Sequence, residues 1–370
     1  MMVSNRCRIR LLRQVLLYAT LIVGGIVLWM TSRRYPVLEK FDHSTNTIPV
    51  ANLTNYITSD KLGKLKYTIV RDAHPVTLTD YFIPREEVVN PFPNKYVIKP
   101  KNMCDDPPFL VIMVCSVHSH TNVRDAIRDT WGSVGHGSAW PGSDVRLQVK
   151  ILFLFGKVKM PSMEYLIHRE SKTYNDVLQG DFTDSYKNLT LKTLMGLRFV
   201  ANTCPGAEYV LKADEDTFTH VQLLYQFLRT VQPVNSVIGH IYTTSPVRRH
   251  GIWAVSFEMY PYHDYPYYAS GNTYVLSRDV IGCISNTSGY LPYLPIEDVF
   301  VTGVMGVVCR ATLVDLEGFT YWIQRAPEPE DFTIGNKLSA NKVSPGLARE
   351  IWKELIDFDP KLVYRNLSSV

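Results

Sequence analysis

Apolar runs that alternate with helix-like stretches dominate the chain from about residue 104 onward. Residues 108–117, 149–155 and 209–213 form short runs that are almost wholly apolar, as expected of strands buried on both faces of a sheet. Apolar residues spaced three or four apart predict helices over residues 121–131, 162–172 and 219–230, and a longer one from Asp184 or Ser185 to about Ala201. Strands that alternate with helices predict an α/β domain with a parallel or mixed sheet.

A second apolar run lies close to the amino terminus. Residues 14–32 carry no charge, and as a helix these 19 residues would cover about 28 Å, close to the thickness of the hydrocarbon core of a bilayer. A cleaved signal peptide is the alternative, but its apolar core is usually about 7–15 residues long and ends in small residues. Here the run ends in Leu28, Trp29 and Met30, so we expect a transmembrane anchor over residues 15–31.

The charges around this run predict its orientation. Four arginines precede it and two follow it, and positively charged residues usually stay on the cytosolic side of a membrane. We therefore expect a cytosolic tail over residues 1–14 and a body outside the cytosol, as in a type II membrane protein. The short span suits a thin membrane of the early secretory pathway.

The rest of the chain divides into two parts. Residues 32–100 lack sustained periodicity and contain several prolines, which predicts an extended lumenal stem. Residues 101–370 hold the regular pattern and form the expected folded domain. Glycosylation sequons at Asn52, Asn188, Asn286 and Asn366 agree with a lumenal location.

Composition and charge narrow the classes of function. Apolar residues make up 46% of the chain and charged residues 20%, which excludes global disorder. The net charge of +4 arises from six arginines within the first 34 residues, since the remainder holds 33 basic and 35 acidic residues. A nearly neutral body lacks the electrostatic attraction that nucleic-acid binding requires, so we expect no nucleic-acid partner.

The cysteine pattern excludes a zinc ribbon, because no two cysteines are spaced as Cys-x-x-Cys. One of the six cysteines falls in the expected cytosolic tail, which leaves an odd number in the lumen. We predict two disulfides, Cys104–Cys204 and Cys283–Cys309, although four cysteines allow three connectivities. Cys115 lies within an apolar run and is the expected free thiol.

An acidic triplet is the first candidate for chemistry. Asp214, Glu215 and Asp216 directly follow the apolar run at residues 209–213. In an extended chain, residues i and i+2 point the same way, so Asp214 and Asp216 present two carboxylates to one point. That arrangement suits a hard divalent cation that carries phosphate oxygens. A solvated acidic turn is the alternative.

Basic and aromatic segments are further candidates. Arg124 and Arg128 stand four apart on a predicted helix and share a face, which suits a nucleotide diphosphate or, alternatively, a solvated basic stripe. Residues 260–274 are rich in tyrosine, which is typical of a sugar-binding loop or of a loop packed on a sheet. Glu297 and Asp298 precede a predicted helix, where acids usually interact with the helix dipole.

Together, five segments resemble the β-1,3-glycosyltransferase family, which includes the β-1,3-galactosyltransferases and the β-1,3-N-acetylglucosaminyltransferases. Residues 124–131 are similar to its motif R-x-x-I-R-x-T-W, and residues 181–193 to D-F-x-D-x-Y-x-N-L-T-x-K-T. Residues 212–218 resemble K-x-D-D-D-x-F, residues 265–277 resemble Y-P-x-Y-x-S-G-x-G-Y-x-x-S, and residues 297–299 resemble E-D-V. The motifs stand in the order of the family over about residues 104–355, so the match is specific.

This resemblance implies a GT-A fold, an α/β domain with a mixed central sheet that binds a UDP-sugar and usually Mn²⁺. It implies a Golgi membrane protein whose lumenal domain transfers a hexose to a glycoprotein or glycolipid, with inversion and a β-1,3 linkage. Galactose is the expected sugar, because Ser270 and Gly271 resemble the galactosyl-transferring branch. N-acetylglucosamine or N-acetylgalactosamine is the alternative donor sugar. A catalytically inactive, sugar-binding relative is the alternative from another class of function.

The resemblance also implies roles for individual residues. Asp298 is the expected general base, with Glu297 as the alternative. Asp214, Asp216 and Asn341 are the expected metal ligands. Contacts with the nucleotide-sugar are implied for Arg124, Arg128, Lys192, Lys212, Asp214, Glu215, Tyr268, Ser270 and Gly271.

Three positions depart from the family pattern. Glu215 is the middle residue of the acidic triplet, and Asn272 with Thr273 replaces a glycine-rich pair. Asn341 stands where many members have a histidine, in a segment that resembles H-x-x-S-P followed by I-W. Because that histidine is a candidate metal ligand, its replacement leaves the position to the Asn341 oxygen or to water, or weakens the site.

Overall fold

The computed structural model describes residues 53–59, 63–70, 80–90, 95–321, 325–333 and 337–358, all of which belong to the unit Val50–Val370. The predicted cytosolic tail, the predicted anchor and the sequons at Asn52 and Asn366 lie outside these residues. Within the described ranges, no helix is both long enough and apolar enough to cross a membrane.

Strands and helices alternate through most of the described chain. The strands are β1 (Leu53–Ser59), β2 (Gly63–Val70), β3 (Tyr96–Ile98), β4 (Leu110–Cys115), β5 (Val149–Lys157), β6 (Val177–Thr183), β7 (Tyr209–Asp214), β8 (Phe218–Thr219), β9 (Ser236–Tyr242), β10 (Tyr268–Ser277), β11 (Thr312–Leu316) and β12 (Ser339–Ala340). The helices are α1 (Thr121–Asp129), α2 (Pro161–Tyr174), α3 (Leu189–Thr203), α4 (Val221–Val231), α5 (Arg278–Thr287), α6 (Met305–Val308), α7 (Glu330–Thr333) and α8 (Pro345–Asp357). A π-helical turn, Val299–Val304, leads into α6.

Ten of these strands form one mixed sheet in the order β1-β2-β11-β9-β10-β7-β4-β5-β6-β3. At its centre β4 pairs in parallel with β5 and with β7, and β5 pairs in parallel with β6. Strand β10 runs antiparallel between β7 and β9. The predicted α/β class with a mixed central sheet is therefore confirmed.

Both faces of the sheet are covered, as the continuously apolar strands predict. On β4, Val111 and Met113 belong to one apolar core, whereas Leu110, Ile112 and Val114 belong to the other, because successive side chains in a strand alternate between faces. Apolar residues of α3, α5 and the π-helical turn join the first core, and those of α1, α4 and α8 join the second. The strands are thus buried in a rigid frame, and this frame fixes the positions of the strand ends, where the candidate site described below lies.

Every strand and helix predicted from periodicity is present within a few residues of its expected limits, but seven strands of the ten-stranded sheet were not predicted. These are β1, β2 and β3, which fall in the expected stem, and β6, β9, β10 and β11. Strand β10 contains Gly271 and Asn272, residue types that are uncommon in strands, and its pairing with β9 shifts register between Ala269 and Tyr274. A tyrosine-rich segment that looked like a loop therefore ends in a central strand.

The expected stem contributes to the sheet. Strand β2 pairs with β11, and β3 pairs with β6 at the opposite edge. Tyr81 and Phe82 pack against rings of the tyrosine-rich segment, with a centroid distance of 5.0 Å between Tyr81 and Tyr260. The structural unit thus begins near Val50, well before residue 101. Short strands with mixed composition give a weak periodic signal, which explains the difference.

Two disulfides confirm the predicted pairing. Cys104 is bonded to Cys204, which ties the segment before β4 to the end of α3. Cys283 is bonded to Cys309, which ties α5 to the end of α6. Cys115 is free and buried, as predicted, and burial raises the pKa of its thiol to about 11.

The two arginines of α1 form a buried ion-pair network. Arg124 donates twice to Glu170, with both distances 2.7 Å, and Arg128 donates to Glu170 at 2.6 Å and twice to Asp176. Although burial alone would raise the pKa of Glu170, the two arginines outweigh it and lower that pKa. The remaining donors of the Arg124 guanidinium reach the hydroxyls of Ser116 and Thr121 and the carbonyls of Val117 and His118.

This network gives Arg124 and Arg128 partners within the protein, whereas their contact with a diphosphate stays a prediction. Both guanidinium groups are buried, and protein acceptors already take the donors of Arg124. Arg128 also lies against the rings of Phe153 and Tyr174, at 4.6 and 3.9 Å from the ring centroids. Arg124 thus fixes the loop after β4, and Arg128 ties α1 to Glu170 of α2 and to Asp176 before β6.

We predict that Arg128→Met lowers the free energy of unfolding by about 3–5 kcal/mol, because it leaves the buried Asp176 carboxylate without its main partner. Lys157→Met is the control, since its pair with Asp181 is exposed and contributes about 0–1 kcal/mol. Urea denaturation followed by circular dichroism measures both values. Equal, small losses in the two variants would contradict a stabilising role for the network.

Candidate active site

The carboxyl ends of β4 and β7 lie side by side, because these strands pair in parallel with Cys115 opposite Asp214. Residues 116–120, which follow β4, and the acidic triplet at the end of β7 therefore meet at one edge of the sheet. In open α/β sheets, ligands bind in the crevice beyond this edge. The predicted placement of the acids at a buried strand end is confirmed.

Glu215 binds the loop after β4. Its Oε2 accepts hydrogen bonds from the Ser116 hydroxyl at 2.6 Å and from the Val117 N–H at 3.1 Å, and its Oε1 lies 2.5 Å from His120 Nδ1. Both carboxylate oxygens are thus engaged within the protein. Glu215 thus holds two strand ends together, and the nucleotide-sugar contact implied by the resemblance stays a prediction.

Lys192, on α3, supports the same loop from inside the protein. Its Nζ donates to the Ser116 carbonyl at 2.9 Å and to Asp184 Oδ1 at 2.8 Å. Asp184 Oδ2 in turn accepts a hydrogen bond from the Gly156 N–H at 2.8 Å. The buried Lys192 therefore positions the ends of β4 and β5, and its contact with a nucleotide-sugar stays a prediction.

Lys212, on β7, points into the protein beneath the acids. Its Nζ donates to Asp214 Oδ1 at 2.6 Å and to the Gly271 carbonyl, and it lies 3.5 Å from Glu297 Oε2. Burial alone would lower the pKa of Lys212, but the charges of Asp214 and Glu297 outweigh it and raise that pKa well above its usual value. Lys212 is therefore a permanent cation inside the site.

The fold brings Asn341 next to Asp216 across 125 residues of sequence. Strand β12 pairs with β8 so that Ala340 lies opposite Phe218, and the N–H groups of Lys342 and Val343 bind the Asp216 carboxylate and carbonyl, at 3.3 and 2.8 Å. Burial and the charge of Asp214 raise the pKa of Asp216. The side-chain oxygen of Asn341 is buried and has no hydrogen-bond partner among the described residues.

These oxygens fit a hard cation better than a soft one. Asp214, Asp216 and Asn341 offer carboxylate and amide oxygens only, which are ligands that Mg²⁺, Ca²⁺ and Mn²⁺ accept. The described part of the chain contains no group of three His, Cys, Asp or Glu side chains placed to hold a metal ion. A cation here would therefore depend on the amide of Asn341, on water or on ligand oxygens.

Asp298 lies at the start of the π-helical turn and is partly buried. Its Oδ1 accepts a hydrogen bond from the Val299 N–H at 2.9 Å. Gly271 packs against the carboxylate so closely that a Cβ at this position would lie 2.8 Å from Asp298 Oδ2. Burial and the neighbouring charge of Glu297 raise the pKa of Asp298 to about 7.

Glu297 lies deeper than Asp298 and is engaged at both oxygens. The Tyr274 hydroxyl donates to Oε1 at 2.5 Å, and Lys212 Nζ lies 3.5 Å from Oε2. Only 4% of Glu297 is exposed. Of the two acids that the sequence left as candidates for a base, Asp298 has the more accessible carboxylate.

The irregular part of β10 forms the wall of the site beside Asp298. The Ser270 hydroxyl donates to Asn272 Oδ1 at 2.6 Å, and Asn272 Nδ2 donates to the Thr320 hydroxyl at 2.8 Å. Tyr268 is half-buried, and both its burial and the charge of Asp298 raise the pKa of its hydroxyl. Ser270, Gly271 and Tyr268 thus line one region, as expected, although Ser270 itself is buried.

Sequence reasoning gave no role to three residues that support the site. Asp184 and Tyr274, which bind Lys192 and Glu297, stand inside the motifs at residues 181–193 and 265–277, so motif membership was the available signal. Thr320, which holds Asn272, lies outside every motif and reaches the site only through the fold.

A cavity of about 540 Å³ lies elsewhere, near the amino-terminal ends of β4 and β5, and contains none of the predicted site residues. Its walls include Lys101, His136, Arg146 and Asp176. The acids, Lys212 and the irregular part of β10 lie instead at the carboxyl edge of the sheet, where α/β sheets usually bind their ligands.

Comparison with known proteins agrees with this geometry. Residues 122–317 match the family described as galactosyltransferase. β-1,3-Galactosyltransferase 1 of Homo sapiens is 32% identical over 279 residues, which cover 73% of this chain and 81% of that protein. β-1,3-Galactosyltransferase 4 of Mus musculus is 33% identical over 285 residues, which cover 67% of this chain and 72% of that protein.

The solved structure of the bifunctional glycosyltransferase WbbM is also similar, with 12% identity over 70% of this chain and 52% of that one, but its TM-score of 0.34 is too low to carry weight. The family match spans more than half of the chain and contains the acidic triplet, the wall of β10 and Asp298. The chain therefore belongs to the galactosyltransferase family and is a hexosyltransferase.

Proposed function

We propose that this protein transfers galactose from UDP-galactose to a hydroxyl of a glycan on a protein or lipid, with inversion, and forms a β-1,3 linkage on a GT-A fold. Two relatives that cover most of the chain are named β-1,3-galactosyltransferases. The observation that carries the proposal is the position of Asp298, a partly buried carboxylate with its pKa raised to about 7, beside but separate from the pair Asp214 and Asp216.

This arrangement suits a single displacement. The acceptor hydroxyl oxygen attacks the anomeric carbon of the α-linked sugar while the bond from that carbon to the UDP oxygen breaks. Asp298 takes the hydroxyl proton, as a general base with a pKa near the working pH does most effectively. UDP leaves with the bonding electron pair, and one displacement converts the α linkage into a β linkage without a covalent enzyme intermediate.

We propose that Asp214, Asp216 and Asn341 hold Mn²⁺. The raised pKa of Asp216 and the unpartnered Asn341 oxygen among the described residues support this ligand set, because a nearby cation would satisfy both. When bound, the ion would neutralise the charge that develops on the UDP leaving group. Lys212 occupies one oxygen of Asp214, which leaves the other oxygen for the ion.

We further propose a single-pass, type II protein of the Golgi membrane with its catalytic domain in the lumen. The arginine asymmetry around residues 15–31 supports the orientation. The two disulfides suit an oxidising compartment. Asn286 is exposed on α5 and accessible for glycosylation, whereas Asn188 Nδ2 donates to the Thr183 carbonyl, a contact that a glycan would remove.

The donor prediction is tested with the purified protein, Mn²⁺ and a panel of UDP-galactose, UDP-N-acetylglucosamine and UDP-N-acetylgalactosamine, with β-linked methyl glycosides as acceptors. We expect transfer from UDP-galactose to have the highest kcat/KM and the product to carry a β-1,3 linkage by NMR. A preference for another donor would contradict the galactose assignment. Binding of a UDP-sugar without transfer to any acceptor would indicate an inactive relative.

The base prediction compares Asp298→Asn with Glu297→Gln. Asp298→Asn keeps the shape of the side chain but removes its basic oxygen, so we expect kcat to fall about 10²–10⁴-fold while the KM for UDP-galactose changes little. Glu297→Gln keeps the deeper position and should have the smaller effect. The reverse order would move the assignment to Glu297, and near-normal turnover in both variants would place the base elsewhere.

The metal prediction is that Asp216→Asn abolishes Mn²⁺-dependent transfer and weakens Mn²⁺ binding in the presence of UDP, measured by calorimetry, because it removes a negative oxygen ligand. Asn341→Ala removes a neutral ligand and should weaken binding less. Asp129→Asn, an exposed acid that pairs with Arg349, is the control. Full transfer by the unaltered protein in excess chelator would refute a required metal.

A further inference from the structure

Lys212 contacts residues on two sides of the proposed site. The metal side is the side of the proposed metal ligands Asp214 and Asp216, and the base side is the side of the proposed base Asp298. The Nζ of Lys212 donates to Asp214 on the metal side, and it binds the Gly271 carbonyl and lies 3.5 Å from Glu297 Oε2 on the base side. An ammonium group has three N–H donors; two of them are donated to Asp214 and to the Gly271 carbonyl, and Glu297 lies within ion-pair distance of the group. Because only 1% of the side chain is exposed, water cannot take over these contacts.

The first route from Lys212 to the base runs through Gly271. The Gly271 backbone packs directly on the Asp298 carboxylate, since a Cβ on Gly271 would lie 2.8 Å from Asp298 Oδ2 and 3.0 Å from its Cγ. The hydrogen bond from Lys212 to the Gly271 carbonyl fixes this part of the irregular strand β10. A shift of Gly271 would therefore change the space available to Oδ2.

The second route runs through Glu297, the residue next to the base in the chain. Lys212 stands opposite Tyr274 in the antiparallel pair β7–β10, and the Tyr274 hydroxyl donates to Glu297 Oε1 at 2.5 Å. Lys212 and Tyr274 thus hold the two oxygens of Glu297 from neighbouring strands. Since Glu297 is buried, these two contacts fix the start of the π-helical turn and, with it, the position of Asp298.

We propose that Lys212 is a positioning residue that holds the Asp298 carboxylate in its reactive geometry through the Gly271 carbonyl and Glu297. The inference rests on the proposed function, in which Asp298 is the general base. The resemblance implied a direct nucleotide-sugar contact for Lys212, whereas its contacts in the structure are with Asp214, the Gly271 carbonyl and Glu297.

An acceptor with a thiol distinguishes a loss of general-base function from other effects of a substitution at Lys212. A thiol ionises at a pKa of about 8.5, whereas a sugar hydroxyl stays protonated near neutral pH, so transfer to a thiol depends far less on a general base. The probes are the β-linked methyl glycoside that accepts galactose in the donor assay and its analogue in which a thiol replaces the attacking hydroxyl. Asp298→Asn is the reference variant and should lose transfer to the hydroxyl much more than transfer to the thiol.

We expect Lys212→Met to show the same selectivity. Transfer to the hydroxyl acceptor should fall about 10²-fold, as expected when a reactive group is displaced by about 1 Å, with a much smaller loss for the thiol acceptor and little change in the KM for UDP-galactose. Lys157→Met removes an exposed lysine on β5 and should leave both transfers unchanged. If Lys212→Met does not fold, Lys212→Met/Glu297→Gln removes one buried cation and one buried anion together and should show the same selective loss.

Equal losses with the two acceptors, or a loss confined to the KM for UDP-galactose, would overturn the inference and assign Lys212 to the donor side. Near-normal transfer by Lys212→Met would overturn it as well. If Asp298→Asn itself lost both transfers equally, the base assignment would fail, and the inference with it. A selective loss in Asp298→Asn without one in Lys212→Met would overturn the inference alone and leave the proposed function standing.

Discussion

Four carboxylates lie close together at the carboxyl edge of the central sheet. Holding this much negative charge in a partly buried volume costs free energy, and the groups around the carboxylates must offset that cost. The four carboxylates belong to Asp214, Asp216, Glu297 and Asp298. Lys212 lies among them as a buried cation, and the charges of Asp214 and Glu297 keep it protonated despite its burial. Burial is the main cause of the raised pKa of Asp216 and of the pKa of about 7 at Asp298, and the excess negative charge that one fixed cation leaves adds to both shifts. The same excess of negative charge favours a proton on Asp298 near neutral pH. It would also favour a further cation near Asp216.

The surrounding frame fixes the loop after β4, which lies beside these groups. Arg124 and Glu215 fix the loop after β4 from opposite sides, with the Ser116 hydroxyl bound to both. Lys192 holds the same loop through the Ser116 carbonyl. Residues for which the resemblance implies ligand contacts thus bind other parts of the protein. Such support is what a preorganised site requires, because a reactive carboxylate is useful only while its position is fixed.

Much of the architecture was readable from the sequence because its signals are local. The buried central strands β4, β5 and β7 are continuous apolar runs, and the acids follow β7 directly. The disulfides also matched the order of the cysteines. Strand β10 was missed because glycine and asparagine interrupt it. The protein contacts of Arg124, Glu215 and Lys212 were not predicted for another reason: a basic or acidic residue near a strand end looks the same in sequence whether its partner is a ligand or a buried side chain such as Glu170.

The central claim is that Asp298 is a carboxylate that accepts a proton near neutral pH, and the pH dependence of kcat/KM for UDP-galactose at saturating acceptor tests it most directly. Only the deprotonated form can act as a base, so the rate should rise with pH through about 7 and become level above it. A rate that stays constant between about pH 5.5 and 8.5 would show that no group with this pKa takes part in the reaction, and would contradict the claim.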